Sequence, residues 1–261
     1  MSNSESHLIL VTKSQSGVLR IAINRPEKKN ALTIEMYAAL AQSIRQGEAD
    51  TSVRVFLLHG TEDCFSSGND LKDFLESPPK DESSPVFQFI QAISQAEKPI
   101  VAAVNGPAVG IGTTMLLHCD LVYAGSNARF MMPFVNLGLN PEAASSLLLP
   151  RLAGYQRAAE VLLLGELFSA EKAREIGLVN SVLPDAEVLE FASAQANKLA
   201  AKPFASVLLT KALLKKEDKA AIQRIISEEF QYIIERLGSP EAVEAFNAFF
   251  ERRKPDFSQF N

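Results

Sequence analysis

The chain has 261 residues, of which 47% are hydrophobic and 22% are charged, and its net charge is −5. This composition predicts one large domain, or a domain with an appendage, built around a full hydrophobic core. The acidic balance and the lack of a basic cluster argue against nucleic acid as the main partner, and no apolar run reaches the ~18 residues of a membrane span.

The two cysteines, Cys64 and Cys119, lack C-x-x-C spacing and have few histidines to join them. We therefore expect reduced buried thiols, with no disulfide and no metal site. The first residues lack the basic segment and apolar run of a secretory signal, and the last residues are not a Ser-Lys-Leu type peroxisomal address. These features predict a cytoplasmic location.

In chain order, residues 9–12 and 18–23 predict two strands joined by a tight turn. Thr33 can cap a helix that extends to about Glu48, and residues 53–59 predict a buried strand. The buried side of that helix is predicted at Met36, Leu40 and Ile44. A polar loop at residues 76–85 then precedes a helix at 86–95.

Two small-residue turns follow buried strands and open helices. The first reads Phe-Ser-Ser-Gly-Asn-Asp at residues 65–70, and the second follows a strand at 100–104 and contains Gly110 and Gly112. Each turn has an ordinary explanation as a capped turn or a close packing contact. Together they can aim two backbone N–H groups at one oxygen, as an oxyanion hole does. The glycine spacing fits neither a Walker loop nor a dinucleotide fingerprint.

From about residue 186 onward the pattern predicts helices alone, at 187–200, 204–215, 219–237 and 240–250. Strands mixed with helices, followed by helices only, place a soft boundary near residue 202. The last helices carry many aromatic side chains, which predicts a docking surface on the core or on another subunit. These side chains are Phe230, Tyr232, Phe246, Phe249 and Phe250.

Among candidate catalytic groups, Glu142 is predicted as the second residue of a helix that Asn140 caps and Pro141 begins. An acid there has an ordinary explanation, because it complements the helix dipole. No Ser-His-Asp order is visible, and His7, His59 and His118 have no obvious catalytic partners. His118 lies in an apolar run, which favours a buried histidine with its hydrogen bonds satisfied.

At these residues the chain resembles the crotonase superfamily, the enoyl-CoA hydratase/isomerase proteins. The resemblance covers nearly the whole chain and is carried by motifs at residues 24–32, 65–70, 98–106, 119–120, 173–179 and 252–257. It implies an α/β fold, a crotonase-like spiral of ββα turns, with an acyl-CoA site in a core at residues 1–201. It also implies a helical C-terminal oligomerisation region at 202–261 that builds homotrimers, often stacked into hexamers.

The resemblance also implies how an acyl-CoA thioester binds. The thioester oxygen is expected between the backbone N–H groups of Asn69 and Ile111, and no cofactor is expected because coenzyme A is part of the substrate. Further substrate contacts are expected from a set of residues in the turns and beside them. This set comprises Lys28, Lys29, Ala31, Ser66, Ser67, Gly68, Asp70, Leu71, Gly110 and Phe134.

Departures from the family pattern indicate the reaction. The two positions that hold catalytic glutamates in the family's hydratases hold Thr114 and Phe134 here. Glu142 remains, and its surroundings in sequence look like the peroxisomal-type Δ3,Δ2-enoyl-CoA isomerases, which use a single Glu at this place. One carboxylate can move a double bond by taking a proton from C2 and returning it at C4. Apolar neighbours at Phe134, Leu137 and Leu139 are expected to raise its pKa.

Three other functions stay open at this point. A hydratase-like lyase could use another acid, such as Glu62 or Asp70. A thioester hydrolase could use Glu142 to orient water. The chain could also bind acyl-CoA without turnover.

Overall fold

The computed structural model describes residues 8–260, so His7 and the segment before it lie outside the described residues. The strands in the described range fall mostly in its first two thirds. They are β1 (Ile9–Lys13), β2 (Val18–Ile23), β3 (Val55–His59), β4 (Ile100–Val104), β5 (Pro107–Val109), β6 (Leu121–Gly125), β7 (Arg129–Met131), β8 (Phe168–Ser169) and β9 (Ser181–Leu183).

The helices begin after the first hairpin, and from α8 to the end of α11 the chain is helical apart from short connections. They are α1 (Ile34–Ala49), α2 (Leu71–Glu76), α3 (Pro85–Gln95), α4 (Ile111–Thr114), α5 (Ser145–Ala153), α6 (Tyr155–Leu164), α7 (Ala170–Glu175), α8 (Val188–Ala200), α9 (Phe204–Lys215), α10 (Lys219–Leu237) and α11 (Pro240–Glu251). The predicted cap at Thr33 is confirmed, because its side chain accepts a hydrogen bond from the Met36 N–H, and Ser169 caps α7 in the same way through the Lys172 N–H.

The strands form two sheets. The larger has the order β1-β2-β3-β4-β6-β9 and is parallel except for the β1–β2 hairpin. The smaller has the order β5-β7-β8. Successive turns of the chain give one strand to each sheet, first β4 and β5, then β6 and β7. This arrangement confirms the predicted spiral of ββα turns, and α8 to α11 confirm the helical C-terminal region.

The large sheet is buried on both faces. One face packs against α1 and α3 in the main hydrophobic core. The other face is covered by α8, whose small buried side chains Ala192, Ala196 and Ala200 allow a close approach to β3 and β4. Burial on both sides explains why β3 and β4 are continuous apolar runs without polar alternation.

The strands β5, β7 and β8 were not predicted from the sequence. Each has only two or three residues, and each gains its partners from segments far away in the chain. Periodicity cannot register such short strands. They matter because the smaller sheet positions the site. The predicted boundary between residues 201 and 202 stays a prediction.

Candidate active site

A cavity of about 690 Å³ opens between the loop at residues 67–72, the end of β5, the segment 131–142 and the helices α10 and α11. Most of the predicted site residues line it. They are Lys28, Ala31, Ser67, Gly68, Asn69, Asp70, Leu71, Gly110, Phe134 and Glu142. The cavity therefore brings together parts of the chain that are separated by more than a hundred residues, between Lys28 and Glu142.

Lys29, Ser66 and Ile111 do not line the cavity. Ser66 is fully buried, and its hydroxyl donates to the carbonyl oxygen of Asn30 at 2.9 Å. The Lys29 side chain is exposed, while its carbonyl oxygen accepts a hydrogen bond from the Ser67 N–H at 3.0 Å. Lys29 and Ser66 therefore shape the loops beside the cavity. Ile111 is buried directly behind Gly110, at the first position of α4.

The two predicted N–H donors are aligned by a parallel pairing of their segments. Ser66 pairs with Ala108, and hydrogen bonds of about 3 Å join Ser66 N to Pro107 O and Val109 N to Ser66 O. Three residues further along each segment stand Asn69 and Ile111. In the described range, neither of their N–H groups donates to a protein acceptor in the hydrogen bonds found. Both N–H groups are therefore left without a protein acceptor in that range, as the donors of an oxyanion hole must be.

Glycines permit this close pairing. A Cβ on Gly68, whose φ is +91°, would lie 2.8 Å from Val109 O, and a Cβ on Gly112 would lie 2.7 Å from Ser66 O. Gly110 has φ +56° and ψ −122°, a backbone conformation that side chains disfavour. The small residues in both turns are therefore required by the approach of the two backbones.

Asp70 is fully engaged in holding the loop. Its carboxylate pairs with Arg25 Nη1 at 2.7 Å and accepts a hydrogen bond from Asp73 N at 3.3 Å, which caps α2. The Arg25 and Asp73 hydrogen bonds lower the pKa of Asp70 against the opposing effect of burial, which is the largest single influence. Asp70 is therefore an ionised anchor of the loop and a poor proton carrier.

Glu142 does not lie in the first turn of a helix, so that prediction is wrong. Ala143 and Ala144 have φ values of 57° and 56°, and α5 begins only at Ser145. Asn140 caps nothing there, because its buried Oδ1 accepts no hydrogen bond from residues 8–260, while its Nδ2 donates to Pro141 O and to Glu229 O at 2.9 and 3.0 Å. With no helix start at Glu142, the dipole explanation for this acid is removed.

Glu142 is almost completely buried, with 6% of its surface exposed. Burial, and next the charge of Glu229, raise its pKa to about 8, while a weak hydrogen bond from Thr114 Oγ1 at 3.5 Å opposes the shift. Phe134, Leu137 and Leu139 line the cavity with it. A carboxyl with such a pKa can both accept and release a proton near neutral pH.

Two residues of the site were missed in the sequence. Tyr37 on α1 donates its hydroxyl to Asn69 Oδ1, and the charge of Glu142 contributes to raising its pKa. Glu229 on α10 is buried beside the turn that carries Glu142. A signal for Glu229 existed, because it shares the buried helix face of Ile222, Ile226 and Ile233, where a charged residue is out of place.

His118 has the predicted satisfied environment. Its Nε2 lies 2.8 Å from the Ala143 carbonyl oxygen, and burial lowers its pKa to about 4, so it is neutral near pH 7. Among residues 8–260, no cluster of three or more His, Cys, Asp or Glu side chains could hold a metal ion. No helix in that range has both the length and the apolar character to cross a membrane.

Comparisons with known proteins agree with this geometry. The sequence model described as Enoyl-CoA hydratase/isomerase matches residues 13–260. Enoyl-CoA delta isomerase 2 of Rattus norvegicus is 36% identical over 95% of this chain, and the match spans 65% of the rat protein. The 2,3-dehydroadipyl-CoA hydratase of Escherichia coli K12 is 32% identical, with 95% of this chain and 98% of that protein covered.

The fold comparison is equally extensive. The structure of Pseudomonas aeruginosa OdaA superimposes with a TM-score of 0.92 at 50% identity, and the match covers 95% of this chain and 100% of that one. These relatives include both an isomerase and a hydratase, so the likeness reaches the family and leaves the individual reaction open. From the matched family and the shared fold, the chain belongs to the enoyl-CoA hydratase/isomerase family.

Proposed function

We propose that this protein is a Δ3,Δ2-enoyl-CoA isomerase, which converts 3-enoyl-CoA esters to 2-trans-enoyl-CoA esters, as in fatty-acid β-oxidation. The observation that carries the proposal is that, among the described residues, only one of the two carboxyl groups on the cavity wall is free of an ion pair. Asp70 and Glu142 are the carboxyl-bearing residues among those that line it. Asp70 is committed to Arg25, so Glu142 is the acid left for chemistry.

In the proposed reaction the ionised Glu142 carboxylate removes a proton from C2 of the substrate. The electron pair of that C–H bond becomes part of a dienolate, whose negative charge is placed on the thioester oxygen. The N–H groups of Asn69 and Ile111 hold that oxygen. Glu142 then delivers its proton to C4, and the double bond lies between C2 and C3. No water is added and no cofactor is needed.

Thr114 and Phe134 support isomerisation over hydration. Thr114 is fully buried, and its hydroxyl is the hydrogen-bond partner of Glu142 Oε1. Phe134 places an aromatic ring on the cavity wall. Neither side chain can act as a second acid or base, so water at C3 is not activated from these positions. Glu62, the other acid considered for lyase chemistry, is exposed and is absent from the cavity wall.

We further propose that coenzyme A lies across Lys28 to Ala31 and the loop at 66–71, with the acyl group directed toward Glu142. Lys28 and Ala31 line the same cavity as Glu142, at the side where the loop at residues 67–72 contributes its wall. The exposed cations of Lys28 and Lys29 suit the phosphates of the cofactor portion of the substrate. The predicted homotrimer or hexamer and the cytoplasmic location are part of the same proposal.

The test is the variant Glu142→Gln, assayed by the absorbance of the conjugated thioester formed from a 3-enoyl-CoA. We expect kcat to fall by about a thousandfold or more, since the amide cannot carry the proton. Glu62→Gln is the matched control and is expected to keep the wild-type rate. A near wild-type rate for Glu142→Gln overturns the assignment.

The alternative reactions have separate readouts on the wild-type protein. Water addition to crotonyl-CoA at a rate comparable with isomerisation favours a hydratase-like lyase. Release of free CoA, measured with a thiol reagent, favours a thioester hydrolase. Tight acyl-CoA binding with neither reaction favours a binding protein.

A further inference from the structure

A second buried carboxylate lies behind Glu142. Glu229 belongs to α10, has 6% of its surface exposed and faces the turn between Glu142 and the start of α5. It does not line the cavity, so it is not placed to touch a substrate. A buried acid costs stability unless its oxygens are satisfied, which raises the question of what this one does.

Three donors of the turn satisfy the Glu229 carboxylate. Ala144 N donates to Oε2 at 2.6 Å, while Ser146 N and Ser146 Oγ donate to Oε1 at 3.1 and 2.5 Å. Burial raises the pKa of Glu229 to about 7, while all three contacts need an acceptor and therefore favour the ionised form. The backbone between Glu142 and α5 is therefore bound to α10. The contact between Ala144 and Glu229 joins residues that are 85 positions apart in the chain.

The turn needs such a restraint. Ala143 and Ala144 are both in the left-handed region, with φ of 57° and 56°, where a residue with a Cβ is strained. Two consecutive alanines in this conformation persist only if the surroundings fix them. Glu229 supplies hydrogen bonds on one side, and His118 contacts Ala143 O on the other. The direction of the Glu142 side chain depends on this backbone.

We propose that Glu229 is a positioning residue that fixes the left-handed turn and so aims the Glu142 carboxyl at C2 and C4 of the substrate. The inference rests on the proposed function of Glu142. Glu229 also affects Glu142 electrostatically. The negative charge of Glu229 is the second cause of the raised pKa of Glu142, after burial. Glu229 thus contributes both to the place and to the proton affinity of Glu142.

An experiment can distinguish the titration of Glu142 and Glu229 from that of the charged and titratable groups around them. Burial raises the pKa of Tyr37 well above its usual value, and burial lowers the pKa of His118 to about 4. Neither group changes its charge between pH 6 and pH 9. Lys215 donates to His118 O and lies behind it, and Glu228 neighbours Glu229 on α10. Burial also lowers the pKa of Lys215. A limb of activity in this pH range that moves in Glu229→Gln therefore belongs to Glu142 and Glu229.

The experiment compares Glu229→Gln with Glu228→Gln in the full chain, with 3-enoyl-CoA as substrate. The control removes the same charge from the same helix, where Glu228 pairs with Arg224 at the surface and has only a minor influence on the pKa of Glu229. We expect Glu229→Gln to lower kcat by about tenfold or more with KM changed by less than about threefold, because misplacing the base affects the transition state more than binding. We also expect the rising limb of kcat/KM to move to lower pH, because Glu142 has lost a repelling charge.

The control Glu228→Gln is expected to keep both the wild-type kcat and the wild-type limb. A Glu229→Gln protein that unfolds more easily but keeps kcat and the limb overturns the inference and leaves only a structural role. That result together with an inactive Glu142→Gln spares the proposed function, whereas an active Glu142→Gln overturns the proposed function itself.

A second variant covers the case in which Glu229→Gln does not fold. Ser146→Ala removes one donor to Glu229 and keeps the charge. We expect a smaller fall in kcat, about twofold to fivefold, with no shift of the limb. A wild-type kcat for Ser146→Ala overturns the inference, and a reduced kcat with an unmoved limb supports it.

Discussion

Burial and the nearby charge of Glu229 both disfavour the ionised form of Glu142 in the folded chain. The consequence reaches beyond catalysis. In the unfolded chain this carboxyl loses its proton near its ordinary pKa of 4.5, whereas in the folded chain it holds the proton to about pH 8. Between these two values the folded state binds more protons, so the free energy of unfolding falls as the pH rises.

We therefore predict that Glu142→Gln stabilises the protein more at alkaline than at acidic pH. Relative to wild type, the variant should gain on the order of 4 kcal/mol in the free energy of unfolding between pH 5 and pH 9, since a neutral amide has no ionisation cost. Urea unfolding at the two pH values measures this, with Glu62→Gln as the exposed control. Equal differences from wild type at both pH values contradict the prediction.

The surroundings of Glu142 were predicted from the sequence only in part. The raised pKa of Glu142 agrees with the expectation from its apolar neighbours, Phe134, Leu137 and Leu139. The helix start at Asn140 was wrong, because the local pattern contains no information about Glu229. Acceptors that arrive from a distant helix can hold a left-handed turn where caps and propensities predict a helix.

At the scale of elements, the candidate site depends on one pairing that was not predicted. The segment with Ser66 lies beside β5, and Gly112 at the start of α4 touches the Ser66 backbone. The glycine turns were visible in the sequence, as were the strands before them. The similarity of the two turns suggested that their N–H groups act together, and only the family resemblance implied which two N–H groups these are. The pairing itself was not predicted, since strands as short as β5 have no periodic signal.

Adding one carbon at Gly112 should pull this pairing apart. In Gly112→Ala the new Cβ would lie 2.7 Å from Ser66 O and 3.2 Å from Ser66 Cβ, so α4 and the loop must separate. The N–H groups of Asn69 and Ile111 then no longer converge, and we expect isomerase kcat to fall by about 10- to 100-fold.

Gly154→Ala is the matched control for that variant. Gly154 has φ +81° but nothing lies within 4 Å of its added Cβ, so the substitution strains the backbone without moving the loop. It should lower the melting temperature and leave kcat unchanged. If both variants lose activity in proportion to their loss of stability, the pairing is not what limits the reaction.

For the molecule as a whole, α9 has an unusual orientation, with a lysine buried and leucines exposed to solvent. It buries the ammonium group of Lys211, which donates to Lys98 O at 2.8 Å and pairs with Asp120 at 2.7 Å. Its leucines face outward instead, and Leu209, Leu213 and Leu214 are 61%, 62% and 80% exposed. The aromatic docking surface predicted from the sequence divides in a similar way, since Phe230 and Phe246 are buried while Phe249 and Phe250 are largely exposed.

A helix that buries a lysine and exposes its leucines is unfavourable in an isolated subunit. Each exposed leucine lacks about 2 kcal/mol of stabilisation that burial of its side chain would contribute. This inverted pattern is the physical argument for the proposed homotrimer or hexamer. From the sequence, only an amphipathic helix at 204–215 was predicted. Which side faces the core was decided by Asp120 and by the Lys98 carbonyl, and neither is visible from the periodicity of the helix.

We predict that Leu214→Glu breaks the assembly. The wild-type protein should have a mass about three or six times that of one chain by light scattering after size exclusion, and the variant should shift toward one chain, since a buried unpaired carboxylate costs several kcal/mol at each copy of the interface. Leu10→Glu, at an exposed leucine of β1, controls for added charge and should keep the wild-type mass. A wild-type protein with the mass of a single chain at micromolar concentration would show that the outward leucines of α9 do not bind another copy.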